Sequence, residues 1–317
     1  MNLYEQQRKN KRITALLIIS FLLLLGVLGF LFDAYYFNSM AAAGGIPVVT
    51  LIALSIASAN SFVSYFYGDK LVLRSLRAVP LNFEDLSHKK LHNIVTEMAL
   101  ASGLPMPKVY VIEDPAPNAF ATGRNPQNAS IGVTEGLINI MNREELQGVI
   151  AHEMSHIKNY DIRTMTVVTV LLGTIVLLSD WAGRSMFYGR HRRDSRKKGR
   201  AHPVILIILL LLVILSPILS RIIAMAVSRQ REYLADASAA EITRHPLGLA
   251  GALEKISKVN SPVMTAHKGT AHLFISDPLH RKLDDKEGLV ADILSTHPPI
   301  EKRIEILKGM AYIYTKK

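Results

Sequence analysis

Residues 143–160 read REELQGVIAHEMSHIKNY, and the period of their apolar positions decides what kind of protein this is. Those positions return at helical spacing, and Glu144 and Glu145 stand in the first turn, where the helix dipole favours acids. On this helix His152-Glu153-Met154-Ser155-His156 has the form H-E-x-x-H. Spacing of i, i+4 stacks both imidazoles on one face, so the two can bind one tetrahedral zinc at about 2.0 to 2.1 Å. Glu153 lies one position round, where it can take a proton from water activated by the metal instead of ligating. A solvated helix carrying these residues by coincidence is the plain alternative, and the pattern rarely arises by chance in helical context.

A catalytic zinc needs a third protein ligand and an open position. The chain has no cysteine, so that ligand must be His, Asp or Glu. Glu232 and Asp236 stand at i, i+4 and share a helix face, so one can reach the metal while the other orients a ligand histidine. Two acids on a helix are usually a solvated edge; position is what singles out this pair. His156 lies about 12 Å of helix before one apolar stretch, and Glu232 about 18 Å beyond the end of another. Neighbouring helices leaving one membrane surface would bring both motifs to a similar height, outside the bilayer and close to its cytoplasmic face.

Those apolar stretches set the organisation. Residues 13–32 are uncharged and as a helix reach about 30 Å, the thickness of a bilayer core. The run is longer than the apolar core of a cleaved signal peptide, and a second uncharged stretch follows at 46–68, so a transmembrane hairpin over 13–68 is expected, with helices at about 13–32 and 46–66. Basic residues flank it at Arg8, Lys9, Lys11, Arg12 and again at Lys70, Arg74 and Arg77, while 33–45 has none, which puts residues 1–12 and the second helix's end in the cytoplasm. A second apolar hairpin is expected over 164–220, from about 164–182 and 203–220, joined by a basic loop at 183–202. Its first member has a short uncharged run and its second contains Pro217, a kink. Eight Lys and Arg between 184 and 200 would lie outside if both cross, against the positive-inside tendency; spanning is still preferred, because helices this apolar would need a larger soluble domain to cover them.

The sections at 69–163 and 221–317 read as two parts of one cytoplasmic metalloprotease domain. A helix is expected over 87–103, from a Ser cap to Gly103, followed by three short strands in PKVYVIED, NAFATG and ASIGVTEGL. LGLAGALEKISKV and IEKRIEILKGM close the chain as helices. The expected fold is mostly α with a small antiparallel sheet, an α+β metalloprotease domain plus transmembrane helices. The formal charge of +11 gathers beside apolar runs and no recognition motif accompanies it, so lipid headgroups are the expected partner and nucleic acid is not.

HEMSH, then REYLAD at 231–236 and STHPPIEKR at 295–303, with two apolar segments at the start and two between the metal motifs, resembles the HtpX family of membrane proteases, relatives of the Ste24 prenyl-protein proteases. The resemblance covers essentially the whole chain. It implies a gluzincin with one zinc per subunit: His152, His156 and Glu232 as ligands, Glu153 as general base and Asp236 as the orienter of His152. It further implies roles for Asn118, His297 and Arg303 in binding substrate backbone or steadying the oxyanion. Asn118 would act if NAFATG is an exposed edge that an extended substrate joins as an added strand. The implied substrates are misfolded or damaged membrane proteins cut at their cytoplasmic regions, with the enzyme multi-pass in the cell membrane and its oligomeric state open. Three rivals are weighed against this. An intramembrane protease would not carry Arg143, Glu144, Glu145, Lys158 and Asp161 around its motif. CaaX processing belongs to relatives with more spans, and a scaffold with structural zinc would need a fourth protein ligand.

Overall fold

Helix α1 (Leu3–Tyr36) begins ten residues before the apolar run, so the polar stretch that precedes it is helical too. It returns as α2 (Val48–Ser75), and the hairpin is fastened at its far end by Asp33, whose carboxylate accepts the Val49 and Thr50 N–H groups and the Thr50 hydroxyl. The two N–H groups are first-turn donors of α2 that no helical carbonyl could satisfy. Leu16, Ile19, Leu23 and Val27 on α1, and Leu51, Ile52, Ile56 and Phe62 on α2, are exposed. A continuous apolar surface of that extent suits lipid, and both helices are long and apolar enough to cross a membrane. The computed structural model describes residues 3–36, 46–190, 229–259, 261–266, 269–279 and 298–315.

Strand β1 (Val79–Pro80) leads into α3 (Leu86–Ser102), whose cap is Asp85, one residue before the helix and two before the serine expected in that role; Ser87 instead donates its N–H to the Asp85 carboxylate. Gly103 ends the helix at φ +69, the left-handed cap that glycine adopts without a Cβ penalty. Strands β2 (Lys108–Ile112), β3 (Ala119–Gly123) and β4 (Ala129–Thr134) join β1 in a sheet of order β1-β2-β4-β3. The sheet is mixed, not purely antiparallel as expected from sequence: β2 and β4 run parallel, Lys108 opposite Ser130 through Ile112 opposite Thr134. The connector 113–118, with two prolines, forms no tight hairpin but carries the chain past the end of β4, where a Cβ on Gly136 would lie 2.0 Å from the Pro115 carbonyl oxygen. β3 therefore lands on the far side, and β4 threads between.

α4 (Glu135–Ile140) and α5 (Arg143–Lys158) follow, the latter opened by a capping box between Asn142 and Glu145. α6 (Asp161–Arg190) packs along α1 and α2, burying Val167, Val168 and Leu171 against Leu17, Phe21 and Ala57. Its helix continues through 183–190, the start of the expected basic loop, since no proline interrupts 161–190. Residues 191–228, including the fourth apolar segment at 203–220, lie outside the described residues. α7 (Arg229–Thr243) and α8 (Pro246–Lys258) then close on α5, which is covered by α3, α7, α8 and β3, and α9 (Ile300–Thr315) packs on α8 and α7. Leu146, Val149, Ile150, Met154 and Ile157 of α5 sit in one core with Leu91, Ile131, Leu249 and Leu307.

The α5–α8 crossing is a backbone-to-backbone contact. A Cβ added at Gly148 would lie 2.5 Å from the Leu249 nitrogen, and one at Gly248 2.6 Å from the Glu144 carbonyl oxygen. Backbone cannot yield as a side-chain tip can. Gly148→Ala is therefore expected to destabilise the protein by about 1 to 3 kcal/mol, the usual cost of forcing a methyl into a filled contact. Thermal unfolding of purified protein measures it, and a wild-type midpoint would mean that the two helices separate freely.

Candidate active site and metal centre

The helical period of α5 places His152 and His156 one above the other, and both are buried. Their Nε2 atoms are 3.2 Å apart. α7 brings Glu232 against them, with Oε2 3.7 Å from His152 Nε2 and Oε1 3.6 Å from His156 Nε2. Three donor atoms about 2.05 Å from a tetrahedral centre would stand about 3.3 Å from one another, so the three groups fit a single ion with little rearrangement. Among the described residues this is the cluster of His and acidic groups that could hold a metal.

Each histidine presents Nε2 because a carboxylate stands at its other nitrogen. His152 Nδ1 lies 2.9 Å from Asp236 Oδ1, and His156 Nδ1 lies 3.0 Å from Asp161 Oδ2. A carboxylate at Nδ1 sets the tautomer and aims the ligand nitrogen at the metal. Asp236 stands one turn after Glu232 on α7. Asp161 opens α6 just beyond the turn at Asn159–Tyr160, where Tyr160 adopts φ +61. Sequence reasoning did not single out Asp161 as a support of the site; a carboxylate five residues after His156, across a helix break, was the available signal.

Electrostatics follow from depth. Burial holds the His152 pKa below its ordinary value despite the Asp236 carboxylate. At His156 burial acts in the same direction, but the bond to Asp161 and the charges of Glu232 and Glu153 outweigh it and raise the pKa to about 9. Glu153 is 1% exposed, and burial, reinforced by Glu232, pushes its pKa up to about 8. Neither carboxylate oxygen of Glu153 has a hydrogen-bond partner; the Ala121 backbone on β3 makes only a weak approach. A buried carboxylate left without partners is costly unless a charge or a bound water completes it. The donor set and this orphaned group together fit a divalent metal and the water it would activate.

Arg303, from α9, is fully buried and clamps Asp236 with two parallel bonds, Nε to Oδ2 at 2.8 Å and Nη2 to Oδ1 at 2.7 Å. Its Nη1 donates to the Ile275 carbonyl at 2.8 Å and stands 3.7 Å from Glu232 Oε2. Asp236 is held below the carboxylate range, because the Arg303 cation and its bonds overcome burial. Asn118, 2% exposed, donates from Nδ2 to the Ser276 carbonyl and accepts the Ala119 N–H. The free edge expected at NAFATG is occupied by the chain itself: Phe274 bridges Phe120 in antiparallel sense, and the Ile275 N–H donates to the Ala119 carbonyl. His297 lies outside the described residues. Of the histidines read as surface or packing groups, His88 pairs with Glu135 and His272 with Thr169.

The sequence model of Peptidase family M48 matches residues 85–311. A "Protease HtpX homolog" of Caldanaerobacter subterraneus subsp. tengcongensis is 50% identical over 311 residues, covering 97% of this chain and 98% of that protein. Another, from Thermoanaerobacter pseudethanolicus, is 48% identical over the same length and shares. Among solved structures, the crystal structure of S. mikatae Ste24p is similar with a TM-score of 0.47 at 20% identity, over 89% of this chain and 67% of that one.

Proposed function

We propose that this chain, which belongs to peptidase family M48 and is a membrane metalloprotease, holds zinc through His152, His156 and Glu232 and cuts misfolded or damaged membrane proteins at their cytoplasmic regions. The observation that carries the reading is the convergence of three ligand atoms 3.2 to 3.7 Å apart beside a buried carboxylate without partners. Zinc, when bound, supplies Lewis acidity toward the scissile carbonyl and toward water. Glu153 takes the proton from that water as its oxygen attacks the carbonyl carbon, and returns it to the amide nitrogen as the C–N bond breaks. Asp236 and Asp161 hold the two imidazoles in the tautomer that keeps Nε2 free for the metal.

The donors of Arg303 are directed at Asp236 and the Ile275 carbonyl, which favours a positioning role over direct stabilisation of the oxyanion. His297 remains the candidate donor to that oxygen on the strength of the resemblance. Asn118 ties the start of β3 to the Ser276 carbonyl of the segment that covers that edge, so it would act on substrate through the placement of that segment. The family's other implications stand as part of the same reading: one zinc per subunit, lipid contacts along α1 and α2, and residues 69–163 and 221–317 forming one unit on the cytoplasmic side. A helix as long as α6, about 45 Å from end to end, lying beside α1 and α2, supports a further crossing.

Full-length protein in detergent is expected to carry one equivalent of zinc by elemental analysis and to cleave casein. A chelator should abolish cleavage and added zinc restore it. Cleavage that persists after the metal is stripped would overturn the reading.

A further inference from the structure

Asn10 lies among the basic residues ahead of the apolar run of α1, and nothing in the sequence singles it out. The structure gives it another neighbourhood. Its side chain is 1% exposed, and its Nδ2 donates at once to the Asn159 carbonyl at 2.9 Å and to Asp161 Oδ1 at 2.6 Å. The other oxygen of that carboxylate is the one that meets His156 Nδ1. Arg231, beside Glu232 on α7, reaches Asp161 Oδ1 at 3.4 Å and Asn10 Oδ1 at 3.5 Å. Asp161 thus has one oxygen on the histidine and the other held by Asn10 and Arg231.

We propose that Asn10 is a positioning residue of the metal centre, by which the first membrane helix fixes Asp161 and, through it, the ligand histidine His156; this rests on the zinc reading above.

A carboxylate orients an imidazole only if its own rotation is arrested, and in Asp161 the arrest comes from bonds at the oxygen away from the histidine. Asp161 follows a helix break at Tyr160, φ +61, so α5 alone does not set its direction relative to His156. Asn10 bonds both the side chain of Asp161 and the backbone of Asn159 on the other side of that break, and so ties the turn and the carboxylate to a third element. Gln7, three residues earlier, donates to the Lys158 carbonyl and keeps α1 in register there; Thr14, a turn further on, meets Thr164 and, within its own helix, the Asn10 carbonyl. A lysine, serine or leucine at position 10 would serve the topology of α1 as well; a short amide donor with an acceptor beside it serves Asp161.

The test measures zinc affinity of full-length protein by competition with a chelator, alongside thermal unfolding of the metal-free form. Asn10→Ala is expected to weaken zinc binding by about tenfold, the lower end of the effect of losing an outer support of a metal ligand. Thr14→Val removes bonds of the same helix that do not reach Asp161, and should leave affinity within about twofold even where it lowers the unfolding midpoint. In an Asp161→Asn background, Asn10→Ala should add less than about a twofold change, because the two residues act in series. Asn10→Ser, whose short hydroxyl cannot span both acceptors, should also weaken binding, and serves if the alanine variant does not fold. Wild-type affinity in the position-10 variants, or equal losses in Asn10→Ala and Thr14→Val, would overturn the proposal. His156→Ala separates the two readings: if it keeps zinc, the ligand assignment itself fails; if it loses zinc while Asn10→Ala does not, only the role of Asn10 fails.

Discussion

Glu153→Gln is expected to lower kcat by about 10^2- to 10^4-fold, the usual worth of a positioned general base, while one equivalent of metal remains bound. The glutamine side chain has the same shape, and the three groups that converge on the metal are untouched, so zinc content should match wild type. An amide cannot take the proton that the attacking water must lose. Burial is what suits this carboxylate to act as a base, since its pKa is pushed up to about 8 and its basicity lies near working pH once a dication draws it down. Peptide cleavage assays with metal analysis on the same sample read both quantities. Retained cleavage with retained zinc would remove Glu153 from the mechanism.

Arg303→Ala should be the most destabilising single change in the site. The guanidinium is 1% exposed and donates two parallel bonds to Asp236, which is equally buried. Deleting one member of a buried pair leaves the other charge without compensation, at a cost of about 3 to 5 kcal/mol. The Ile275 carbonyl loses its donor as well, and the segment that lies along β3 loses an attachment. Arg303→Lys should recover little, because an ammonium cannot make the two-pronged contact. The measurement is the unfolding midpoint of metal-free protein, so that zinc does not mask the loss. A midpoint within the scatter of ordinary surface substitutions would show that Asp236 finds another partner. If it does not, His152 loses its orienting carboxylate and metal binding weakens with stability.

Much of this was legible in the sequence where the signal was local. The helix expected over 143–160 follows from period and first-turn acids and runs to Lys158, and the i, i+4 histidines follow from the same geometry. The hairpin of α1 and α2 follows from two uncharged runs of bilayer length. Glu232 was singled out by its distance from an apolar stretch and by the order of three motifs, and the structure brings it to the histidines. The sheet was legible as strands but not as an order. β2, β3 and β4 are short and wholly or partly buried without alternation, so nothing in them states which neighbour each pairs with. The prolines of the 113–118 connector relax the hairpin rule that would have made the sheet antiparallel.

For Arg303 the sequence left the direction of its donors open. Its motif marks it as part of the site, yet an arginine beside the metal cluster could face the substrate or the carboxylates, and only the packing of α9 on α7 directs it to Asp236. The meeting of Asp161 with Asn10 was hidden for a related reason. One sits past a helix break and the other before a membrane span, 151 positions apart, and their meeting depends on how α1 lies against α6. Periodicity, caps, charge asymmetry and apolar length act within a few turns of chain, so by itself the sequence determined the elements, the histidine pair and the membrane hairpin. The order of the sheet, the partner of each buried charge and the supports behind the ligands were decided only by tertiary packing, because each depends on which distant surfaces exclude water together.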